Sequence, residues 1–123
     1  MPKILVVDDD EQIRELVDSM LTAYGYEITL ANNGQLATRV YREQPFDLVI
    51  TDLVMPDMEG IELIQKLRAI NQNVTIIAMS GGASGASETY LKTAGFLGAR
   101  YTLPKPFKLD ELLKVVSTAL EQP

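Results

Sequence analysis

The sequence predicts an α/β domain: a doubly wound, five-stranded parallel sheet with helices on both faces. Three observations carry that reading. Residues 4–7, 48–51 and 74–79 are short apolar strings, rich in β-branched residues and not alternating, as strands buried on both faces are. Amphipathic stretches with helical spacing separate and follow them. Strand and helix patterns succeed one another five times, which implies parallel pairing through right-handed crossovers.

The elements follow in order. Residues 4–7 form the first strand. Ile13, Leu16, Val17, Met20, Leu21 and Tyr24 fall at i, i+3, i+4, i+7, i+8 and i+11, with Glu11, Arg14 and Asp18 on the opposite face. That is a helix, and Gly25 is its natural stop. Residues 27–31 are a weaker second strand. Leu36, Ala37, Val40 and Tyr41 make a shorter helical stripe, opened by Asn32-Asn33-Gly34 and closed by Pro45. Residues 48–51 are the third strand. Ile61, Ile64, Leu67 and Ile70, with Leu63 beside them, make the third helix. Residues 74–79 are the fourth strand. Residues 81–87, Gly-Gly-Ala-Ser-Gly-Ala-Ser, read as a flexible loop before a fourth helix marked by Tyr90, Leu91 and Ala94. Residues 101–103 are a weak fifth strand. Leu109, Leu112, Leu113, Val116, Ala119 and Leu120 make the fifth helix, with Asp110 and Glu111 in its first turn.

Composition narrows the function. A chain of 123 residues, 46% hydrophobic and 23% charged, has the size and mix of one globular domain. It can bury roughly two-thirds of its unfolded surface, enough to fold without a disulfide or a metal. Residues 1–123 therefore read as one domain, with no output domain in this chain. No apolar run approaches the ~20 residues of a membrane span. Three aspartates follow the first apolar string, so the N-terminus is no signal peptide. There is no Cys and no His, which excludes disulfides, thiolate zinc sites and His-based triads. Eleven Lys and Arg against 17 Asp and Glu give a net charge of −6. An acidic chain without a basic block is a poor nucleic-acid binder, and the balance points to the cytoplasm.

In open α/β sheets, ligands bind beyond the carboxyl ends of the strands. Asp8, Asp9 and Asp10 follow the first strand, Asp52 the third and Ser80 the fourth. Lys105, followed by Pro106, comes near the end of the fifth. Asp10 reads as a helix cap or a solvent-facing residue. Asp8, Asp9 and Asp52 at close range would repel, raising at least one pKa. A hard cation removes that conflict. Mg²⁺ prefers oxygen ligands and is typically held by one or two carboxylates plus phosphate oxygens. Beside it a carboxylate can act as a nucleophile toward phosphorus. Lys105 and Ser80 could then neutralise and hydrogen-bond the phosphoryl oxygens. The Gly-rich loop is not a phosphate-binding P-loop, because no Gly-Lys-Ser/Thr follows.

With these residues in place, the chain resembles the receiver domain of two-component response regulators over nearly its whole length. The matching pieces are Ile4-Leu5-Val6-Val7-Asp8-Asp9, Asp52-Leu53-Val54-Met55-Pro56 with Gly60, Met79-Ser80, Gly98-Ala99 and Lys105-Pro106-Phe107. The resemblance implies a flavodoxin-like (βα)5 sheet with strand order 2-1-3-4-5. It implies that Asp52 accepts a phosphoryl group from a sensor histidine kinase or a histidine phosphotransfer protein. Asp8, Asp9, Asp52 and the main-chain carbonyl of Val54 would hold Mg²⁺. Ser80 would turn toward the phosphoryl group and Lys105 would pair with it. The Lys105–Pro106 peptide bond would be cis. The output surface would be the fourth helix, fifth strand and fifth helix, roughly residues 87–121, contacting a downstream protein or an output domain. The domain would be a monomer or a weak phosphorylation-dependent dimer, binding neither nucleic acid nor membrane. It would catalyse only its own phosphorylation and dephosphorylation.

The chain departs from the family pattern in places. Receivers commonly carry Tyr or Phe three residues before the lysine, as a rotating switch; here that residue is Thr102, and Tyr101 stands one position earlier. A shift of one residue in a strand points a side chain to the other face. Either a bulge brings Tyr101 to the switch position, or Thr102 leaves that pocket unfilled. The segment between Ser80 and Lys105 is also longer than is usual, and the excess falls in residues 81–87. Val54 and Gly82, which flank the site in the family's arrangement, offer no side-chain hydrogen bond to a hydrolytic water, so self-dephosphorylation is expected to be slower than in a Val54→Asn variant.

Three other functions compete. An aspartyl-nucleophile phosphohydrolase wants a second acid two residues after the nucleophile, where this chain has Val54. A flavodoxin wants a hydroxyl- and Gly-rich loop after the first strand, where this chain has three aspartates that would repel a flavin phosphate. A degenerate receiver would act by binding alone. A stand-alone receiver and one belonging to a longer regulator fit the sequence equally.

Overall fold

Five parallel strands order the molecule as β2-β1-β3-β4-β5. They are β1 (Lys3–Val7), β2 (Glu27–Ala31), β3 (Leu48–Asp52), β4 (Ile76–Gly81) and β5 (Tyr101–Lys105). The computed structural model describes residues 1–53, 60–81, 92, 95 and 98–121. The helices with described bounds are α1 (Glu11–Thr22), α2 (Gly34–Glu43), α3 (Gly60–Ile70) and α4 (Leu109–Glu121), and Lys92 and Gly95 are also helical. Helix α4 is the fifth helical pattern of the sequence. Tyr90, Leu91 and Ala94, which mark the fourth pattern, lie outside the described residues, as do residues 82–87 of the Gly-rich stretch.

The central strands are apolar without alternation because each feeds two cores. Leu5, Val7, Val49, Ile76 and Ala78 pack with Ala37 and Tyr41 of α2 and with Leu63, Ile64 and Leu67 of α3. Ile4, Val6, Leu48, Ile50, Ile77 and Met79 pack with Val17 and Leu21 of α1 and with Leu112, Val116 and Ala119 of α4. Burying one such aliphatic side chain contributes about 1.5–3 kcal/mol. This double core therefore fixes the heights of the strand ends. β2 and β5 are the sheet's edges, and each is only partly buried. That is why they read weakly in the sequence.

Local chemistry sets the helix starts. The Asp10 carboxylate accepts from the Gln12 amide at 2.9 Å and caps α1, while Asn33 accepts from Leu36 at 2.8 Å and caps α2. Each such cap is worth about 1 kcal/mol. The α3 start is set by a close approach. The Gly60 amide donates to the Leu53 carbonyl at 2.8 Å, and a Cβ at Gly60 would collide with the Asp52 carbonyl oxygen.

Some boundaries differ from the sequence reading. The α1 stripe does not run to Tyr24. The helix stops at Thr22, and the amides of Tyr24 and Gly25 turn back to the carbonyls of Leu21 and Thr22. Gly25 takes φ +90, and Tyr24 is 59% exposed. Leu16 also faces water. Strand β4 begins at Ile76 rather than Val74, because the Val74 amide closes a turn onto the Asn71 carbonyl. Ser80 and Lys105 lie within β4 and β5 rather than beyond them.

Candidate functional site

Strand alternation decides which side chains meet. In β1, Ile4 and Val6 enter the core beneath α1 and α4, and Asp8 follows with the same parity. Leu48 and Ile50 do the same in β3, which ends on Asp52. Tyr101 and Leu103 do so in β5, which ends on Lys105. Val7 pairs with Thr51, so Asp8 and Asp52 stand side by side at the carboxyl edge of the sheet. The two acids and the ammonium thus project toward one side.

The contacts are short. Lys105 Nζ lies 2.7 Å from Asp8 Oδ2 and 3.5 Å from Asp52 Oδ1. Asp8 and Asp52 are buried and Asp9 is exposed. Asp8, Asp9 and Asp52 each place one carboxylate oxygen within 4.8 Å of the others. Asp8 is held from several directions besides. Its amide donates to the Ala31 carbonyl at 3.2 Å, and its Oδ1 accepts from the Asp10 amide at 2.9 Å. Its carbonyl accepts from Arg14 Nη1 at 2.8 Å.

The electrostatics follow from burial. Desolvation, reinforced by the Asp8 charge, pushes the Asp52 carboxyl up to about 6 from 3.8, even though Lys105 works in the opposite sense. Burial opposes the Lys105 ammonium, but its hydrogen bond to Asp8 and the charges of both acids outweigh that, and its pKa is raised. Lys105 therefore stays charged. Three carboxylates around one small volume, with one ammonium against them among the described residues, leave uncompensated negative charge. That donor set fits a hard divalent cation with oxygen ligands and room for water.

Ser80 is buried at the end of β4 and pairs in register with Pro104. It shares parity with Ile76 and Ala78, so it comes to the same sheet edge from the face that α2 and α3 cover. Strands β4 and β5 pair regularly from Ile77–Tyr101 to Gly81–Lys105, with no bulge. Tyr101 accordingly packs half-buried toward α4, and Thr102, opposite Ala78, is exposed on the other face. Of the two sequence alternatives, the bulge is absent. The Lys105–Pro106 bond is cis. Val54 and Gly82 lie outside the described residues.

Sequence reasoning missed Arg14. Helical spacing put it on the outer face of α1, yet its guanidinium reaches back to the Asp8 carbonyl. Nothing in the residue pattern marks that contact. It arises because Asp10 starts the helix directly after the strand, so the first full turn rises beside β1. Asp10, whose sequence position fits either a cap or a surface residue, is the cap.

Comparison with known proteins finds a matching family and similar structures. Residues 4–117 match the family model described as response regulator receiver domain. A DNA-binding transcriptional regulator NtrC of Azospirillum brasilense is 41% identical over 117 residues, covering 95% of this chain and 24% of the relative. NtrC of Bradyrhizobium sp. is 38% identical over 120 residues, covering 98% and 24%. The chain thus spans about a quarter of the length of these relatives. Among solved structures, the chemotaxis protein CheY4 of Vibrio cholerae superposes with a TM-score of 0.87 at 32% identity, covering 98% of this chain and 99% of that one. The receiver domain of NtrX from Brucella abortus gives 0.92 at 29% identity, with the same coverage.

Proposed function

From the premise that this chain belongs to the response regulator receiver domain family, the regulatory module of two-component signalling, we propose that it is a switch set by phosphorylation of Asp52. The observation that carries the proposal is the Lys105 ammonium held between Asp8 and Asp52, with Asp9 completing an acidic cluster. A lysine and three acids at one edge of the sheet suit phosphoryl transfer to a carboxylate, which relies on positioning and on positive charge at the phosphoryl oxygens.

In this reading Asp8, Asp9 and Asp52 would hold Mg²⁺, with the Val54 carbonyl as the further ligand the family resemblance implies, and the ion would supply positive charge to the phosphoryl oxygens. An Asp52 carboxylate oxygen attacks phosphorus of a phosphohistidine. The phosphorus–nitrogen bond breaks, its electron pair stays on the imidazole nitrogen, and that nitrogen takes a proton from solvent. The product is an acyl phosphate on Asp52. Lys105 pairs with one phosphoryl oxygen, and the Ser80 hydroxyl donates to another. Attack by water later returns the carboxylate and releases inorganic phosphate. The domain performs this chemistry on itself, and its output is a shifted conformational equilibrium rather than turnover of a substrate.

The partners proposed are a sensor histidine kinase or a phosphotransfer protein upstream and an output domain or separate protein downstream. Strand β5 and helix α4 supply part of the output surface. The length of the NtrC relatives supports an output domain in a longer regulator. No described helix is long and apolar enough to cross a membrane, and a cytoplasmic setting is part of the proposal.

Titration with beryllofluoride and Mg²⁺, followed by amide NMR, tests the reading. Saturable shifts around Asp8, Asp52, Ser80 and Lys105, lost in Asp52→Asn, are expected. Shifts that survive Asp52→Asn would exclude Asp52 as the acceptor. Continuous phosphate release from a small phosphodonor without a stable phosphoprotein would favour the phosphohydrolase alternative.

A further inference from the structure

A second polar site lies at the opposite end of the sheet. A cleft of about 450 Å³ opens where α3 ends and where β4 and β5 begin. Arg68 from the last turn of α3 and Arg100 from the residue before β5 both line it. Gln72, Asn73 and Thr75 complete a mainly polar wall, and among the described residues no carboxylate lines it. Among the described residues neither guanidinium has an ion-pair or hydrogen-bond partner, although the chain carries 17 acids and a net charge of −6.

The cleft is also shaped by specific contacts. Gly98 takes φ +134, and a Cβ there would collide with the Arg68 side chain, so the absence of a side chain lets Arg68 lie across residue 98. The wall formed by the α3–β4 turn is braced. Asn71 Oδ1 accepts from the Asn73 amide at 3.0 Å, Asn71 Nδ2 donates to the Tyr41 hydroxyl at 3.1 Å, and the Val74 amide donates to the Asn71 carbonyl at 3.1 Å. A turn fixed in this way presents the Gln72 and Asn73 carboxamides at little ordering cost.

We propose that this cleft binds a small phosphate-bearing molecule. Two planar, permanently charged forks suit phosphate oxygens, and carboxamide and hydroxyl donors add directional bonds. The volume exceeds that of a single phosphate and lies in the usual range for small-molecule sites. The site is separate from the Asp52 cluster, which sits at the other end of the same strands. Its test, a binding measurement on other residues, is thus independent of the reading of Asp52.

Pyrophosphate, titrated without Mg²⁺ at constant ionic strength and followed by amide NMR, is the probe. Saturable shifts confined to residues 72–75 and 98–100 are expected, with inorganic phosphate binding the same residues more weakly. Arg68→Gln combined with Arg100→Gln should weaken pyrophosphate at least tenfold while leaving phosphorylation by acetyl phosphate unchanged. Shifts that chloride reproduces at equal ionic strength, or that fall elsewhere on the molecule, would overturn the proposal. So would equal affinity in the double variant. The map of shifts on the unaltered protein decides the matter even if that variant folds poorly.

Discussion

The Lys105 ammonium makes its shorter contact with Asp8, at 2.7 Å, and a longer one, at 3.5 Å, with Asp52. The lysine thus serves first as the counter-charge of a fully buried acid. The carboxylate proposed as acceptor keeps a raised pKa beside it.

Removing that ammonium leaves the buried Asp8 carboxylate with no cation among the described residues. Lys105→Met should lower metal-free stability by about 2–3 kcal/mol, toward the lower end of the range for breaking a buried pair because the site opens to solvent on one side. Mg²⁺ should recover more stability in the variant than in the parent. Thermal melts with and without Mg²⁺ check both effects.

The raised Asp52 pKa gives a definite pH dependence. Between about 3.8 and 6 the folded state binds more protons than the unfolded state, so metal-free stability falls as pH rises through that window. Asp52→Asn removes this slope. It should stabilise the metal-free protein by about 1–2 kcal/mol at pH 7, allowing for solvent screening at the open side, and by much less near pH 4.5. Denaturant melts at the two pH values measure the difference. Mg²⁺ affinity should weaken below pH 6 as Asp52 takes up its proton.

Arg14 orients Asp8 through the main chain. Arg14→Ala should weaken Mg²⁺ binding about tenfold, the scale seen for groups that orient metal ligands. Arg14→Lys, which keeps one donor, should recover part of that loss. Calorimetric titration of Mg²⁺ into the three proteins provides the comparison.

Gly60 admits the start of α3 against the end of β3. Gly60→Ala places a Cβ against the Asp52 carbonyl and should cost about 1–3 kcal/mol or more, because the neighbour is backbone and cannot rotate away. It should also disturb Asp52. Chemical denaturation together with Mg²⁺ titration would detect both.

The central architecture was legible because β1, β3 and β4 are buried on both faces and so carry unbroken apolar strings. The acids were legible because Asp8 and Asp52 terminate such strings. The edges were harder to read. β5 carries Pro104 and an exposed Thr102, so its pattern stopped at residue 103 and its extension to Lys105 was not evident. Val74 reads as part of β4 in the sequence because its side chain is apolar, whereas its turn depends on a backbone bond to Asn71 that side-chain pattern does not encode. Tyr24 fell on the α1 stripe by spacing alone, although the chain had already turned at Thr22. Arg14 was invisible because its role is a contact to a main-chain carbonyl, which no spacing of side chains encodes.

The central claim is phosphorylation of Asp52, and intact mass measures it directly. The protein is incubated with Mg²⁺ and either acetyl phosphate or phosphoramidate, beside Asp52→Asn and a chelator control. The account predicts one phosphoryl group on the parent and none on the variant or with chelator. An unmodified parent with both donors, or a variant modified as fully as the parent, would contradict it.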